Sequence, residues 1–150
     1  MRLFCYGTLQ FPGIMQAVTG LQFSGVPAVL DDYACRVVRG EVYPGIVPAA
    51  GARTGGVVYN GIGTAHLVKL DRFEGDLYQR VRVCVSDRAG TPHLAWAYVI
   101  PEAMHRVLSR DAWNRETFEV TYLGDFLQSC RRFDRMSADS RQQADRRPDR

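Results

Sequence analysis

A short apolar run breaking into glycine, Arg2-Leu3-Phe4-Cys5-Tyr6-Gly7-Thr8-Leu9, stands well ahead of a second segment, Leu70-Asp71-Arg72-Phe73-Glu74-Gly75-Asp76-Leu77-Tyr78-Gln79-Arg80. A strand that ends in a Gly-Thr turn leaves backbone N–H groups unpaired and able to hold an anion. The second segment places one carboxylate, Glu74, where a helical pattern meets a glycine, among Phe73, Leu77 and Tyr78. An anion cradle and a carboxylate in apolar company are the minimum parts for proton transfer on a small zwitterion. Neither part suffices alone, so the fold must bring them together.

The elements that position them are legible in outline. Residues 2–6 read as a strand, followed by a loop carrying Pro12-Gly13. Gly25–Val38 alternates loosely and suits one strand or two. Tyr43–Pro48 carries two prolines and reads as a loop or sheet edge, not a central strand. Gly55–Tyr59 is another short strand. Thr64 reads as an N-cap, with Leu67, Leu70 and Phe73 on one helical face and Gly75 at the C-cap. From Tyr78 to Ser86 the alternation is clean, with Val81, Val83 and Val85 opposite Arg80, Arg82 and Cys84. Leu94–Ile100 follows through Asp87–Gly90, which predicts a hairpin. Beyond Pro101 the pattern turns helical, and Val120, Leu123, Leu127 and Cys130 are expected to dock a last helix. These elements predict an α+β domain, a closed or nearly closed sheet with helices outside.

Length and composition bound the remainder. The 150 residues fit one domain over residues 1–136, followed by an Arg/Asp-rich tail, 137–150, expected to be disordered. Residues 131–150 hold seven Arg and four Asp, which already accounts for the net charge of +3. Interspersed Asp, and the lack of stacking aromatics in 137–150, argue against a nucleic-acid partner. No apolar run approaches a membrane span, and Met1 leads directly into the first strand, so the cytoplasm is the expected compartment. Cys5, Cys35, Cys84 and Cys130 are widely spaced with no histidine at ligand spacing, and read as small buried hydrophobes, not metal ligands. His66, His93 and His105 show no triad pattern and read as surface residues.

Tyr6-Gly7-Thr8-Leu9, Tyr43-Pro44-Gly45-Ile46-Val47 and Leu70-Asp71-x-Phe73-Glu74-Gly75-x-x-Tyr78-x-Arg80 occur in that order. This combination resembles the γ-glutamylcyclotransferase-like superfamily, in its short avirulence-induced-protein-like branch that includes γ-glutamylamine cyclotransferase. The resemblance runs from residue 2 to about residue 126. It implies a small mixed β-barrel with flanking helices and a cavity beside the Tyr-Gly-Thr-Leu loop. It further implies cyclisation of a γ-glutamyl group to 5-oxoproline, with release of an amine or amino acid. Carried over, Tyr6, Gly7, Thr8 and Leu9 bind substrate and Glu74 is the general base and acid. Tyr78 and Tyr98 match aromatic positions that line the pocket. No metal or cofactor is implied, and the partner is a small γ-glutamyl molecule.

The residue types suit that chemistry. An ordinary Glu titrates near about 4.3, a poor match for an ammonium proton, and burial beside Phe73 and Tyr78 would raise it. Gly7 is required if another segment approaches closely or if φ is positive. Arg80 and Arg82 either point into the barrel to meet a substrate carboxylate or form an outer, salt-bridged face. Asp71 and Asp76 read as capping or solvated residues, Trp96 as core, and Glu41 as an exposed loop residue. The alternative to an enzyme is a non-catalytic protein of the same fold that holds a small acidic ligand.

Overall fold

The computed structural model of the chain describes residues 1–132. The tail expected to be disordered, 137–150, lies outside the described residues.

Alternation in the first strand sets the architecture. In β1 (Leu3–Cys5), Phe4 joins one apolar cluster with Val58, Val83, Val85 and Ala97, while Leu3 and Cys5 join another with Ile14, Leu67 and Leu70. A strand apolar on both faces must lie between two layers. Here those layers are the barrel interior and a set of helices.

The barrel is built from β1, β2 (Gly25–Val38), β3 (Pro44–Tyr59), β4 (Gln79–Asp87) and β5 (Pro92–Val99). The pairing order is β3-β1-β5-β4-β2, and β2 pairs with β3 in turn, so the five strands close on themselves. The β1–β5 pair is parallel and the other ring pairs are antiparallel. Val83 and Val85 face Ala95 and Ala97 inside, so side chains fill the interior. A sixth strand, β6 (Leu108–Ala112), pairs with the end of β2 at Arg36 and Val38.

Four helical segments cover the outside: α1 (Pro12–Thr19), α2 (Thr64–Glu74), α3 (Arg115–Thr121) and α4 over 123–132. Pro12 at the first position of α1 tolerates its missing N–H there, so this Gly/Pro segment is a helix start as well as a loop end. α2 begins one residue earlier than Thr64 predicts. Gly63 is the cap and offers no side chain, and His66 Nδ1 reaches back to accept from Gly63 N–H at 2.9 Å.

Two further expectations, on Val120 and Cys84, are corrected. Of the two readings of Tyr43–Pro48, the sheet edge holds: Pro44 and Pro48 enter β3 and face Val37 and Tyr33 of β2. Their missing N–H groups are tolerated because β3 is paired on one side there, apart from Ile100 N–H donating to Ile46 O at 3.1 Å. Val120 does not dock a helix. The chain breaks at Tyr122 between α3 and α4, which shifts the helical phase and leaves Val120 exposed while Phe118 is buried. Cys84 is exposed, not buried, on the outer face of β4 opposite exposed Leu94. No helix among the described residues is long and apolar enough to cross a membrane.

Candidate active site

β1 ends at Cys5, and the chain turns at Tyr6-Gly7 into one turn of 3-10 helix, Thr8–Gln10. The first hydrogen bond of that turn runs from Gln10 N to Gly7 O at 3.1 Å. The N–H groups of Thr8 and Leu9 therefore precede the turn's own ladder, as at any helix start. The loop is held from both sides. The buried Gln10 amide donates to Tyr6 O, and Tyr59 Oη donates to Leu9 O and Gln10 O at 3.1 and 3.0 Å. Gly7 sits outside the left-handed region, at φ −118°. Its need for glycine is one of space, since a Cβ there would lie 2.8 Å from Pro44 Cγ.

Glu74 is the last residue of α2, and Gly75 ends the helix at φ +70°, a conformation glycine adopts without strain. The helix end is tied to the barrel wall through Asp71. That carboxylate accepts from Tyr98 Oη at 2.7 Å and from Arg80 Nε at 2.9 Å, with Arg80 stacked over Trp96 at 4.5 Å. A second aromatic chain ties the helices together. Phe118 packs at a tilt against Phe11, with centroids 5.4 Å apart, and meets Phe126 edge-on at 5.5 Å, while Phe126 meets Phe73 edge-on at 6.4 Å.

These supports converge on a cavity of about 300 Å³. The end of β1 and the loop after it, Phe4–Leu9, line it together with Phe73, Glu74, Leu77 and Tyr78 from the end of α2 and beyond. Tyr43 and Pro44 from the start of β3, Tyr98 from β5, and Phe126, Ser129 and Cys130 from α4 complete it. Every residue anticipated for the site is thus on the cavity surface, although 92 positions separate Tyr6 from Tyr98. Tyr6 Oη donates to Tyr98 O at 2.6 Å, Tyr78 Oη to Pro44 O at 2.7 Å, and Tyr98 Oη to Asp71. Those hydroxyl protons are engaged in the framework, so the three rings act as walls.

Glu74 is different. It is partly buried, and no described residue forms an ion pair with it. Burial raises its carboxyl from an ordinary 4.5 to about 8. Its charge reaches around the cavity: after burial, Glu74 is a further cause that raises the Cys5, Tyr6, Tyr78 and Tyr98 protons above their usual range. The cavity therefore holds one carboxyl with no ion-pair partner among the described residues, together with the Tyr6–Leu9 turn and the aromatic walls.

Other anticipated groups lie elsewhere. Arg80 and Arg82 occupy the outer face of β4, on either side of Trp96, and neither lines the cavity. His93 pairs with Asp87 at 2.9 Å on the β4–β5 hairpin, and His66 caps α2. Residues the sequence did not single out for the site are Cys5, Phe73, Leu77, Phe126, Ser129 and Cys130. Phe73 and Leu77 flank Glu74 in sequence and were legible as its apolar company. No local signal marks the α4 residues, which only tertiary packing brings here. No group of His, Cys, Asp or Glu among the described residues is arranged to hold a metal ion.

A closed five-stranded mixed barrel with flanking helices is the γ-glutamylcyclotransferase-like architecture. Residues 3–115 match the family described as Gamma-glutamyl cyclotransferase, AIG2-like, and the chain belongs to it. Protein AIG2 C from Arabidopsis thaliana is 27% identical over 135 residues, covering 87% of this chain and 79% of that protein. AIG2-like protein C from the same plant is 36% identical over 87 residues, 57% of this chain and 51% of that one. A solution structure from Arabidopsis thaliana superposes with a TM-score of 0.67 at 27% identity, covering 88% and 80% of the two chains. A structure named Gamma-glutamyl cyclotransferase has a TM-score of 0.58 at 19% identity, covering 67% and 66%, which is a likeness of fold.

Proposed function

We propose that the chain is a γ-glutamylcyclotransferase-type enzyme that converts a γ-glutamyl group to 5-oxoproline and releases the attached amine. The observation that carries this reading is Glu74: a carboxyl without an ion-pair partner among the described residues, raised to about 8, on the same cavity that Gly7, Thr8 and Leu9 line. The raised carboxyl lies much closer than an ordinary Glu to an α-ammonium in proton affinity, which makes it the better base for that proton.

Glu74 takes the proton from the α-ammonium. The freed nitrogen attacks the γ-carbonyl, a new C–N bond closes the five-membered ring, and the bond to the leaving nitrogen breaks. Glu74 returns its proton to that nitrogen, and the second proton shed by the ring nitrogen leaves with the released amine as its ammonium, so no co-reactant is needed. Because nucleophile and electrophile share one molecule, the pocket's main task is to hold the substrate folded back on itself. The Thr8 and Leu9 N–H groups are aligned to meet the α-carboxylate or the developing oxyanion. Tyr6, Tyr78 and Tyr98, braced by their own hydroxyl bonds, supply the walls that hold the fold of the substrate. Acyl transfer within the substrate and loss of an amine are the same event, so the reaction has both transferase and lyase character. A reducing compartment such as the cytoplasm suits a protein whose Cys5, Cys35, Cys84 and Cys130 are free thiols.

The test is 5-oxoproline release from a panel of γ-glutamyl amides by the purified protein and by Glu74→Gln. Turnover by the wild type and loss in the variant support the reading. Binding of γ-glutamyl compounds with no turnover by either protein would favour the ligand-holding alternative.

A further inference from the structure

The outer face of the barrel carries a separate cleft of about 360 Å³ that shares no lining residue with the Glu74 cavity. We propose that this cleft binds a small organic phosphate monoester, its phosphate held by the guanidinium groups of Arg2 and Arg82 and its apolar body resting against Leu94 and Trp96. The site is independent of the cyclotransferase reading and of the chemistry at Glu74.

Strand order builds the cleft. β1 lies beside β5, with Leu3 paired to Trp96 and Trp96 N–H donating to Arg2 O at 2.9 Å. β4 lies on the other side of β5 and pairs Arg82 with Trp96. The alternation that turns Val83 and Val85 into the barrel turns Arg82 out of it. Arg2, just ahead of β1, and Arg82 thereby reach one cleft across the width of β5. No helical residue lines it, since every lining residue belongs to a strand or to the chain that flanks one. Leu94 is accordingly 63% exposed, and Trp96 is only partly buried.

Charge sets the ligand. Two arginines line the cleft, and no Asp or Glu among the described residues does. Neither Arg2 nor Arg82 forms an ion pair with a described residue. Asp71, which could have neutralised this face, is engaged by Arg80 and Tyr98. Both guanidinium groups are nonetheless held in place. Arg82 Cζ lies 4.9 Å from the centroid of the Trp96 ring, and Arg2 Nε donates to Asn60 Oδ1 at 3.1 Å. Their Nη groups are left for a ligand. Two such charges without a counter-charge match a dianion. A phosphate monoester carries about −1.5 to −2 charges at neutral pH on three acceptor oxygens, and guanidinium forks meet it bidentately. A single carboxylate would leave one fork unmet. Volume sets the size: about 360 Å³ is at the low end for small-ligand sites, about 300–1,000 Å³.

Phenyl phosphate is the probe, titrated into the full chain and followed by calorimetry and by backbone amide shifts. The expected result is saturable binding with shifts centred on Arg2, Asn60, Gly61, Arg82 and Trp96. It should be tighter than that of inorganic phosphate, which lacks the apolar body, and of benzoate, which carries a single charge. Arg82→Gln and Arg2→Gln should each weaken it about tenfold, the scale of one lost charge-assisted contact. Both side chains are exposed, melting curves establish that each variant is folded, and either variant alone suffices for the test. Four results overturn the site: no saturable binding, shifts centred on Gly7–Leu9 instead, benzoate or inorganic phosphate binding as tightly as phenyl phosphate, or wild-type affinity in a folded variant. None of these readouts depends on 5-oxoproline release, so failure here leaves the cyclotransferase reading untouched.

Discussion

Replacing Glu74 by Gln should abolish turnover and at the same time stabilise the folded protein at alkaline pH. Its carboxyl titrates near about 8 in the fold against an ordinary 4.5. Below about pH 4.5 the group is protonated in both the folded and the unfolded chain, and it contributes no pH dependence. Between 4.5 and about 8 the unfolded carboxyl ionises while the folded one keeps its proton. The folded state then binds more protons, so stability falls as pH rises through this window. Above about 8 both forms are ionised and the loss is complete. A fully dry carboxyl would lose about 5 kcal/mol over that interval. Glu74 opens onto a cavity that admits solvent, so roughly 2 kcal/mol is the realistic figure. Gln is nearly isosteric with the neutral acid and carries no such slope. Urea or thermal unfolding at pH 5 and pH 9 measures it: near-equal stability at pH 5, and a gain of roughly 2 kcal/mol for the variant at pH 9. In melting temperature that gain is about 5–10 °C for a domain of this size. A difference that stays flat with pH would show that Glu74 is solvated and ordinary, and the base assignment would fall with it.

Three further outcomes test the surroundings of Glu74. The value of kcat/KM for a γ-glutamyl substrate should rise with pH through about 8 as Glu74 becomes a base, and a profile flat from pH 6 to 9 would exclude it from that role. Gly7→Ala puts a Cβ 2.8 Å from Pro44 Cγ, and should lower kcat/KM by roughly ten- to a hundredfold through a displaced loop; wild-type kinetics in a folded variant would refute the close-approach argument. Asp71→Ala removes the acceptor for Tyr98 Oη and Arg80, and should cost about 1–3 kcal/mol. A double-mutant cycle with Tyr98→Phe isolates their bond, and a coupling energy near zero would show that it does not brace α2.

How much of this was legible before any coordinates depended on the range of each signal. The α2 helix end carries its own punctuation, a helical apolar face closed by Gly75, and that placed Glu74 at the terminus within one residue. The β4–β5 hairpin was equally local, because Val81, Val83 and Val85 alternate with charged or polar neighbours. Closure of the barrel was not local. It depends on β2 and β3, each long enough to pair with different partners at its two ends, and no window of residues encodes which ends meet. The prolines of Tyr43–Pro48 narrowed that segment to a loop or an edge and no further, because which side of a strand lacks a partner is decided by pairing, and β2 alone among the described strands forms a ladder with it. The cavity shows the same division. Tyr6–Leu9 and Glu74 were readable as chemistry, since a frustrated turn and an apolar carboxylate are unusual in isolation. Phe126, Ser129 and Cys130 were not, since an amphipathic helix says only that it docks somewhere. What ties the two halves together is a set of tyrosine hydroxyls bonded to backbone and to Asp71, which aim the walls at Glu74. Those bonds form between residues 27 to 92 positions apart. The chemistry of the site was therefore written in short motifs, while its geometry is a product of long-range contacts that only the folded barrel brings into register.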